Sequence, residues 1–538
     1  MLPSDEMSSL WDRLSYCALA CAAAVITFTV GDYGLTWDEP TQHIYGDLVY
    51  SYYASGFADR QALDYRDLYL YGGAFDGFAA VLHRVFPGKP LEIRHALGAA
   101  LGLLGIAATW RATRSVASPR AAFFALLLLA TTPRWWGHSF NNPKDIPFAV
   151  GTIVSLYFLL RLIEVLPRPA PGLLLRLGVA IGLTLGVRAG GLVLFGYLGL
   201  VLALHWLLSQ SRDARGAGRA AANFAFVAAP AWVVMLLCWP WAQAGPLFRP
   251  FEALLRLSQF QPYAGELTTL FAGKEISVVD VPASYGVHWL SITLPEGMLV
   301  LLAVGLWLAG LALFQGRVEI RSTIATRYAL LGFAAVFPLG FVAASHSPLY
   351  DGMRQLLFVV PPLACLAGCA LDALWDRAAR WPAWQRRSAL VACALYATLH
   401  LGLMLKLHPH QAVYFNQLVG GLGGAAGRYE LDYWGNSYRE ATAILVEHLE
   451  GEAELRQRAG ARRAIGPYQV FLCSAPQSGR HFFPKYLHST LERSEADFMM
   501  ATTRFGCHRR LAGREIGRVE RLGTTLAVVT DRRAEALR

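Results

Sequence analysis

The chain has 538 residues, of which 55% are hydrophobic and only 16% are charged, and its formal net charge is +10. A soluble protein of this size could not bury so much apolar surface, so the composition excludes a soluble globular enzyme and a disordered chain. Apolar runs of about the 20 residues that a membrane-spanning helix needs recur along most of the chain. The sequence therefore predicts a polytopic membrane protein.

The first apolar run follows a short polar segment without a small-residue cleavage site, so we interpret it as a retained helix. In all, the hydropathy pattern predicts about eleven spans. They cover residues 14–30, 93–111, 120–136, 145–165, 172–188, 190–208, 221–241, 287–314, 328–345, 354–373 and 388–406.

Residues 407–538 contain no such run and are much more polar. Here "NSYREATAILVEHL" is typical of an amphipathic helix, whereas "YQVFLCSA", "ADFMMATTRF" and "TTLAVVTD" are typical of strands. The predicted fold is thus an all-α polytopic membrane bundle with a small C-terminal α/β domain. The predicted domains are residues 1–406, which include an outer loop at 31–90, and residues 407–538.

Arginine placement predicts the orientation. Alternate connections between spans carry three or four Arg each, as in "RATRSVASPR" and "DRAARWPAWQRR", which is typical of a cytoplasmic face. The N-terminus is then cytoplasmic and residues 407–538 lie outside. The positive net charge consequently needs no nucleic-acid partner to explain it.

Cys473 and Cys507 both fall in this outer tail. In an oxidising compartment they are a candidate disulfide pair. The alternative, two unpaired thiols, stays open because the sequence does not give their separation.

Polar side chains suited to chemistry cluster in the outer connections, whereas the middles of the spans are nearly free of charge. The first outer loop begins with "GLTWDEPTQH", and later ones contain "TTPRWWGHSFNNPKDIPFA", "GVRAGG" and "SHSPLYDGMR". The candidate site residues in them are Asp38, Glu39, His43, His138, Asn142, Lys144, Asp145, Arg188, His346, Tyr350, Asp351 and Arg354.

Each of these features also has a purely structural interpretation. An acidic pair before a proline suits a helix start, and Asp145 suits the cap of the next span. Arg354 could simply extend to the membrane interface. Convergence favours function, because independent outer loops all present groups that suit an anionic lipid headgroup and a sugar hydroxyl.

The quoted segments resemble the GT-C membrane glycosyltransferases, and within them the bacterial branch of protein O-mannosyltransferases and aminoarabinose transferases. "WDEPTQH" is similar to the mannosyltransferase pattern of Asp-Glu followed by His, although His43 stands four residues after Glu39 rather than two. "GLTLGVRAGGLVLF" resembles the helix pair that carries a cation at its outer tip. "YFNQLVGGLGGAAGRYELDYWGNSYREA" (414–441) also resembles a family segment, without a role that we can assign from it.

The resemblance implies a multi-pass enzyme of the bacterial inner membrane. It would move a sugar, a hexose or a pentose, from a polyprenyl-phosphate donor to a lipid, glycan or protein acceptor on the outer face. We expect displacement with inversion, with Asp38 as general base and Glu39 as its partner. Asp145 would be the second acid, and Lys144, Arg188 and Arg354 would bind the donor phosphate.

The remaining candidates, His43, His138, Asn142, His346, Tyr350 and Asp351, would shape the substrate site. A divalent cation such as Mg²⁺ or Mn²⁺ at Asp38 and Glu39 is left open, because carboxylate oxygens suit such ions. The main alternative function is a secondary transporter or flippase for lipid-linked or anionic substrates. A transporter would have ionisable residues near the middle of the membrane and two halves of similar sequence, and neither feature is clear in this sequence.

Overall fold

The computed structural model describes residues 4–533, apart from 87, 210, 211, 260–266, 318, 320, 321 and 459–465. For residues 4–8, 259 and 455–458 it describes the backbone alone.

Within these residues, nine helices are long and apolar enough to cross a membrane, and two shorter apolar helices lie between them. Every one of the eleven predicted spans falls on one of them, which confirms the helical multi-pass fold. The nine are Ser9–Asp32, Pro90–Val116, Asp145–Val165, Ala189–Leu208, Ala214–Cys238, Glu296–Phe314, Thr323–Ser345, Arg354–Ala378 and Ala383–Leu407. The two shorter helices are Pro119–Ala130 and Pro171–Leu185.

Two predicted spans are broken in the structure. The span predicted at 120–136 ends at Ala130, and a separate buried helix, Pro133–Asn141, follows it. The span predicted at 287–314 is divided into Tyr285–Thr293 and Glu296–Phe314. In both cases a proline stands at the break, and the residue before a proline avoids the helical conformation.

One end of the bundle carries the Arg-rich connections, and local sequence explains how its helices begin. Ser118 and Ser322 accept hydrogen bonds from backbone N–H groups of the first turns that follow them, which satisfies donors that have no partner inside the helix. Arginines at this end are also paired. Arg327 Nη1 lies 2.9 Å from Glu164 Oε1.

The connection between the first two membrane-spanning helices contains two short helices, Glu39–Ala54 and Ala74–Val85. The second exposes Phe78, Val81 and Val85 along its length, which suits a helix lying at a membrane surface. Other short helices in the chain are Pro240–Gln243, Arg249–Gln259, Gly421–Ala425 and Pro476–Arg480. A hairpin of Thr268–Phe271 (β1) and Lys274–Ser277 (β2) follows Arg249–Gln259.

The C-terminal domain contains the helix Tyr438–Arg458 and a five-stranded mixed sheet. Its strands are Tyr468–Leu472 (β3), Leu487–Thr490 (β4), Phe498–Thr502 (β5), Arg514–Arg521 (β6) and Thr524–Asp531 (β7). The order is β4-β3-β5-β7-β6, with β3 parallel to β4 and β5 and the other pairs antiparallel. Cys473 and Cys507 form a disulfide, which settles the choice that the sequence left open.

The segment between the last membrane helix and this domain packs onto the bundle. Asn416 Nδ2 donates to Ser291 O at 2.7 Å and to Leu294 O at 2.8 Å. Phe415 and Tyr429 belong to the same buried core as membrane-helix residues. This segment contains most of the quoted 414–441 stretch, and its position brings the C-terminal domain against the helix ends that lie away from the Arg-rich connections.

Candidate active site

A cavity of about 620 Å³ opens at the end of the bundle away from the Arg-rich connections. Half of the predicted site residues line it, and they come from four separate connections that the sequence predicts to be outer ones. They are Asp38, Lys144, Arg188, Tyr350, Asp351 and Arg354. The predicted convergence of the outer loops is therefore found in the structure.

Asp38 stands at the start of the helix Glu39–Ala54 and is half-buried. The residue before it is fixed by a hydrogen bond from Trp37 N to Trp434 O of 3.0 Å. No hydrogen bond or ion pair engages the Asp38 carboxylate in the part of the chain that the structure describes. It is thus a carboxylate on the cavity wall that can accept a proton from a bound ligand.

Glu39, its neighbour, is placed differently. It is 1% exposed and does not line the cavity. Oε2 accepts hydrogen bonds from Thr36 N at 2.8 Å and Thr36 Oγ1 at 2.9 Å, and Oε1 lies 2.8 Å from His95 Nε2. Glu39 therefore fixes the turn that carries Asp38, and its own oxygens are used inside the protein.

Arg188 and Arg354 meet at one carboxylate. Arg188 Nη1 lies 2.7 Å from Asp145 Oδ1, and Arg354 Nη1 lies 3.4 Å from Asp145 Oδ2. Asp145 is 2% exposed and sits behind the two guanidinium groups rather than on the cavity wall. It begins the helix Asp145–Val165, where a negative charge also interacts favourably with the helix dipole.

Lys144 and Arg188 both face the ring of Tyr71. The Nζ atom of Lys144 lies 4.3 Å from the ring centre, and the guanidinium carbon of Arg188 lies 5.7 Å from it. The Tyr71 loop is held there by the hydrogen bond from Ala74 N to Gly186 O of 2.9 Å. Gly72 packs so closely on the Gly186 backbone that a side chain would not fit.

Tyr350, Asp351 and Arg354 also line the cavity. The guanidinium carbon of Arg354 lies 4.8 Å from the Tyr350 ring centre and 4.9 Å from that of Trp434. Arg354 Nη2 also lies 3.4 Å from Asp351 Oδ2. Burial raises the pKa of the Tyr350 hydroxyl, so that hydroxyl is a neutral hydrogen-bond donor at neutral pH.

The other four predicted residues do not line the cavity. His43 lies 3.8 Å from Asp47 on the same helix, and His346 is exposed at the end of Thr323–Ser345. His138 is fully buried, and burial, with a smaller effect of Arg134, lowers its pKa to about 3. It is therefore neutral.

Asn142 contacts Asp145 and not the cavity. Its Nδ2 donates to Asp145 Oδ2 at 3.0 Å, and its Oδ1 accepts from Asp145 N at 2.9 Å. Asn142 is thus the residue whose side chain caps the helix, whereas the sequence had suggested Asp145 for that role.

Several cavity residues were missed by sequence reasoning. Trp434 lies in the quoted 414–441 stretch, whereas the others stand in segments without a recognised motif. These residues are Arg66, Tyr71, Arg256, Trp434 and Arg504. Arg504 comes from the C-terminal domain, and its Nη1 lies 2.9 Å from Asp351 Oδ1.

The cavity lining is positive overall. Among the residues that the structure describes, six cationic ones line it, against three acidic ones: Arg66, Lys144, Arg188, Arg256, Arg354 and Arg504, against Asp38, Asp67 and Asp351. Walls of one predominant charge raise the local concentration of oppositely charged ligands. Tyr69, Leu68, Leu70, Leu257 and Leu267 add apolar surface. This lining suits a ligand with an anionic group and an apolar part.

The arrangement does not favour a divalent cation held jointly by Asp38 and Glu39, because the Glu39 oxygens already have partners inside the protein. Elsewhere in the described residues, ligand atoms of His448, Glu452 and Asp531 lie within 4.8 Å of one another. Arg533 Nη2 pairs with Glu452 at 2.8 Å and with Asp531 at 2.7 Å. Its charge already compensates these acids.

Residues 78–241 match a family model described as dolichyl-phosphate-mannose-protein mannosyltransferase. This match covers the segment that contains Lys144, Asp145 and Arg188, and it confirms the resemblance to the GT-C membrane glycosyltransferases. No curated protein sequence matches the chain.

The solved structures that are similar to this chain include the following three. The apo oligosaccharyltransferase of Archaeoglobus fulgidus is 13% identical with a TM-score of 0.48, over 87% of this chain and 63% of that one. The AglB oligosaccharyltransferase of A. fulgidus, in complex with an inhibitory peptide and a dolichol-phosphate, is 12% identical with a TM-score of 0.49, over 91% and 69%. ArnT from Cupriavidus metallidurans, bound to undecaprenyl phosphate, is 17% identical with a TM-score of 0.47, over 96% and 97%. The chain thus spans less than two thirds of the first of these proteins.

Proposed function

We propose that this membrane protein, which shares the mannosyltransferase family segment over residues 78–241, transfers a sugar from a polyprenyl-phosphate donor to an acceptor hydroxyl or amine. The observation that carries the proposal is the pairing of Arg188 and Arg354 with one buried carboxylate, at the wall of a cavity that Asp38 also lines.

The donor phosphate would lie against Arg188, Arg354 and Lys144. Guanidinium groups suit phosphate because their fixed N–H donors match its oxygens. The Asp145 carboxylate orients both arginines, and it compensates part of their charge before the ligand arrives. As the bond from the anomeric carbon to the phosphate oxygen breaks, negative charge grows on the leaving phosphate, and these cations stabilise it.

Asp38 would be the general base. The acceptor oxygen or nitrogen attacks the anomeric carbon, its proton passes to the Asp38 carboxylate, and polyprenyl phosphate leaves. A single displacement of this kind inverts the anomeric configuration. Glu39 then acts as a positioning residue, because its contacts with Thr36 and His95 hold the turn that carries Asp38.

The reaction would take place on the outer face of a bacterial inner membrane. Support comes from the opposite location of the Arg-rich connections, which are typical of the cytoplasmic side. A lipid carrier lies in the outer leaflet with its phosphate at headgroup depth, level with the helix ends that line the cavity. The acceptor, whether lipid, glycan or protein, would reach the same cavity from outside.

The experiment compares a deletion strain with strains complemented by the wild-type gene or by Asp38→Asn. Mass spectrometry would quantify lipid-linked sugars and the sugars of envelope lipids, glycans and proteins. We expect the deletion and Asp38→Asn strains to lose one envelope sugar modification and to accumulate its lipid-linked donor. Full restoration by Asp38→Asn, or no change in any lipid-linked sugar on deletion, would contradict the proposal.

A further inference from the structure

Arg504 connects the C-terminal domain to the cavity. It stands two residues after the end of strand β5, and its backbone N–H donates to Thr502 Oγ1 at 3.4 Å. Three residues later, Cys507 is joined by the disulfide to Cys473, which follows strand β3. The backbone that carries Arg504 is therefore tied to the sheet at two points, which limits the positions that its side chain can reach.

The side chain is buried, with 6% exposed, and both of its strong contacts use the same nitrogen. Nη1 lies 2.9 Å from Asp351 Oδ1, and it donates to Tyr433 O at 3.0 Å. Asp351 presents its other oxygen, Oδ2, to Arg354 Nη2 at 3.4 Å. Asp351 thus lies between an arginine of the C-terminal domain and an arginine of the membrane bundle.

Asp351 adopts an unusual backbone conformation, with φ of +56°. A non-glycine residue in this region costs free energy and persists where the surroundings hold it. The two arginines provide such a hold, because each contacts one oxygen of the carboxylate. Losing either one would leave a buried charge with a single cationic partner.

The acidic residues around Arg504 keep its side chain protonated. Burial alone would lower the pKa of Arg504, but Asp351 and Glu430 raise it above the ordinary value of a guanidinium. The ion pairs along the cavity form a chain in which positive and negative side chains alternate: Arg188, Asp145, Arg354, Asp351 and Arg504.

We propose that Arg504 is a positioning residue through which the C-terminal domain completes the donor-phosphate site. It fixes Asp351, and Asp351 in turn holds Arg354 toward the cavity. Without Arg504, the Asp351 carboxylate would rotate toward its remaining partner and draw the Arg354 guanidinium away from the phosphate. The inference rests on the proposed function, in which Arg354 binds the donor.

The test measures the affinity of purified variants in nanodiscs for undecaprenyl phosphate, together with the KM and kcat of sugar transfer. Arg504→Gln should weaken binding about tenfold and raise KM more than it lowers kcat. Arg504→Lys should stay within about threefold of wild type, because one ammonium can replace the single nitrogen that makes both contacts. Arg510→Gln is the matched control, since Arg510 is exposed in the same segment.

A double-mutant comparison separates positioning from general damage. If Arg504 acts through Asp351, adding Arg504→Gln to Asp351→Asn should change the affinity by less than about twofold. Wild-type affinity in Arg504→Gln, or effects that simply add in the double variant, would overturn the inference. If Arg504→Gln does not fold, weakened binding by a folded Arg504→Lys at the level of Asp351→Asn would also count against it.

The outcomes distinguish the two proposals. A wild-type protein that binds undecaprenyl phosphate but transfers no sugar would contradict the proposed function. The positioning role of Arg504 could then still be tested, because the affinity for undecaprenyl phosphate measures it. A wild-type protein that transfers sugar, with an Arg504→Gln variant equal to it, would contradict the positioning role alone.

Discussion

Replacing Arg188 and Arg354 by Gln, singly and together, removes the two cations that meet at Asp145. Arg354 is 4% exposed and held by Asp145 and Asp351, so its charge is buried and paired inside the protein. Gln keeps much of the side-chain volume and some hydrogen bonding. The substitutions therefore test the charge more than the packing.

The expected loss of affinity follows from the type of contact that each arginine would make with the phosphate. A hydrogen bond to a charged group contributes about 1.5–3 kcal/mol, so each single variant should bind the donor phosphate about 10- to 150-fold more weakly. The two effects should not add, because both arginines share the Asp145 carboxylate. When one is lost, the other pairs with Asp145 more completely, and the coupling should amount to about 0.5–3 kcal/mol.

The assay is equilibrium binding of undecaprenyl phosphate to purified protein in nanodiscs, with folding checked by size-exclusion chromatography. Arg111→Gln is the control, because Arg111 is exposed near the opposite end of the helix Pro90–Val116 and should leave the affinity unchanged. Unchanged affinity in both single variants and in the double variant would refute a shared phosphate site. Losses that are fully additive would refute the coupling through Asp145.

Three further predictions test other parts of the structure. Asp145→Asn should weaken donor binding and lower the stability of the protein by about 3–5 kcal/mol, because it leaves the buried Arg354 and the partly buried Arg188 without their shared carboxylate; chemical denaturation and carrier binding check this, and wild-type values in both would contradict it. Burial raises the pKa of Glu430 to about 7 from 4.5, so the cost of ionising this buried carboxyl should lower the stability by about 3 kcal/mol as the pH rises from 4.5 to 7. Unfolding curves should show that Glu430→Gln removes this dependence, and an identical pH profile would refute the assignment. Finally, a membrane-impermeant thiol reagent on intact cells should label Leu491→Cys, an exposed position in the C-terminal domain, and not Arg380→Cys, which is also exposed; the reverse pattern would overturn the predicted orientation.

The membrane helices could be predicted because a bilayer demands long apolar segments whose backbone groups are satisfied internally. The same constraint made the charged outer connections stand out against the spans. The breaks at Pro133 and Pro295 depend on local backbone geometry, which the averaged hydropathy of a long window does not register.

The direction of neighbouring side chains could not be predicted in the same way. Asp38 and Glu39 are adjacent, yet one faces the cavity and the other faces Thr36 and His95. Lys144 lines the cavity, whereas the next residue, Asp145, lies behind it. Consecutive residues at a helix start point in different directions, and which one faces the ligand depends on how the helix packs.

The C-terminal domain illustrates the same limit. Strands β3, β5 and β7 were predicted from apolar runs, whereas β4 and β6 were missed because they are edge strands made mostly of polar residues. Arg504 was missed because it is one of many arginines in a polar tail. Its partner Asp351 lies in a distant connection of the membrane bundle, and only the tertiary fold joins them.

The most direct test of the account measures donor binding and sugar transfer together in purified Asp38→Asn. The account assigns the donor phosphate to the arginines and the acceptor proton to Asp38, so the two properties should separate. We predict carrier-phosphate affinity within about threefold of wild type and a turnover lower by about 100-fold or more, the scale of a lost general base. Near-normal turnover in this variant would contradict the account.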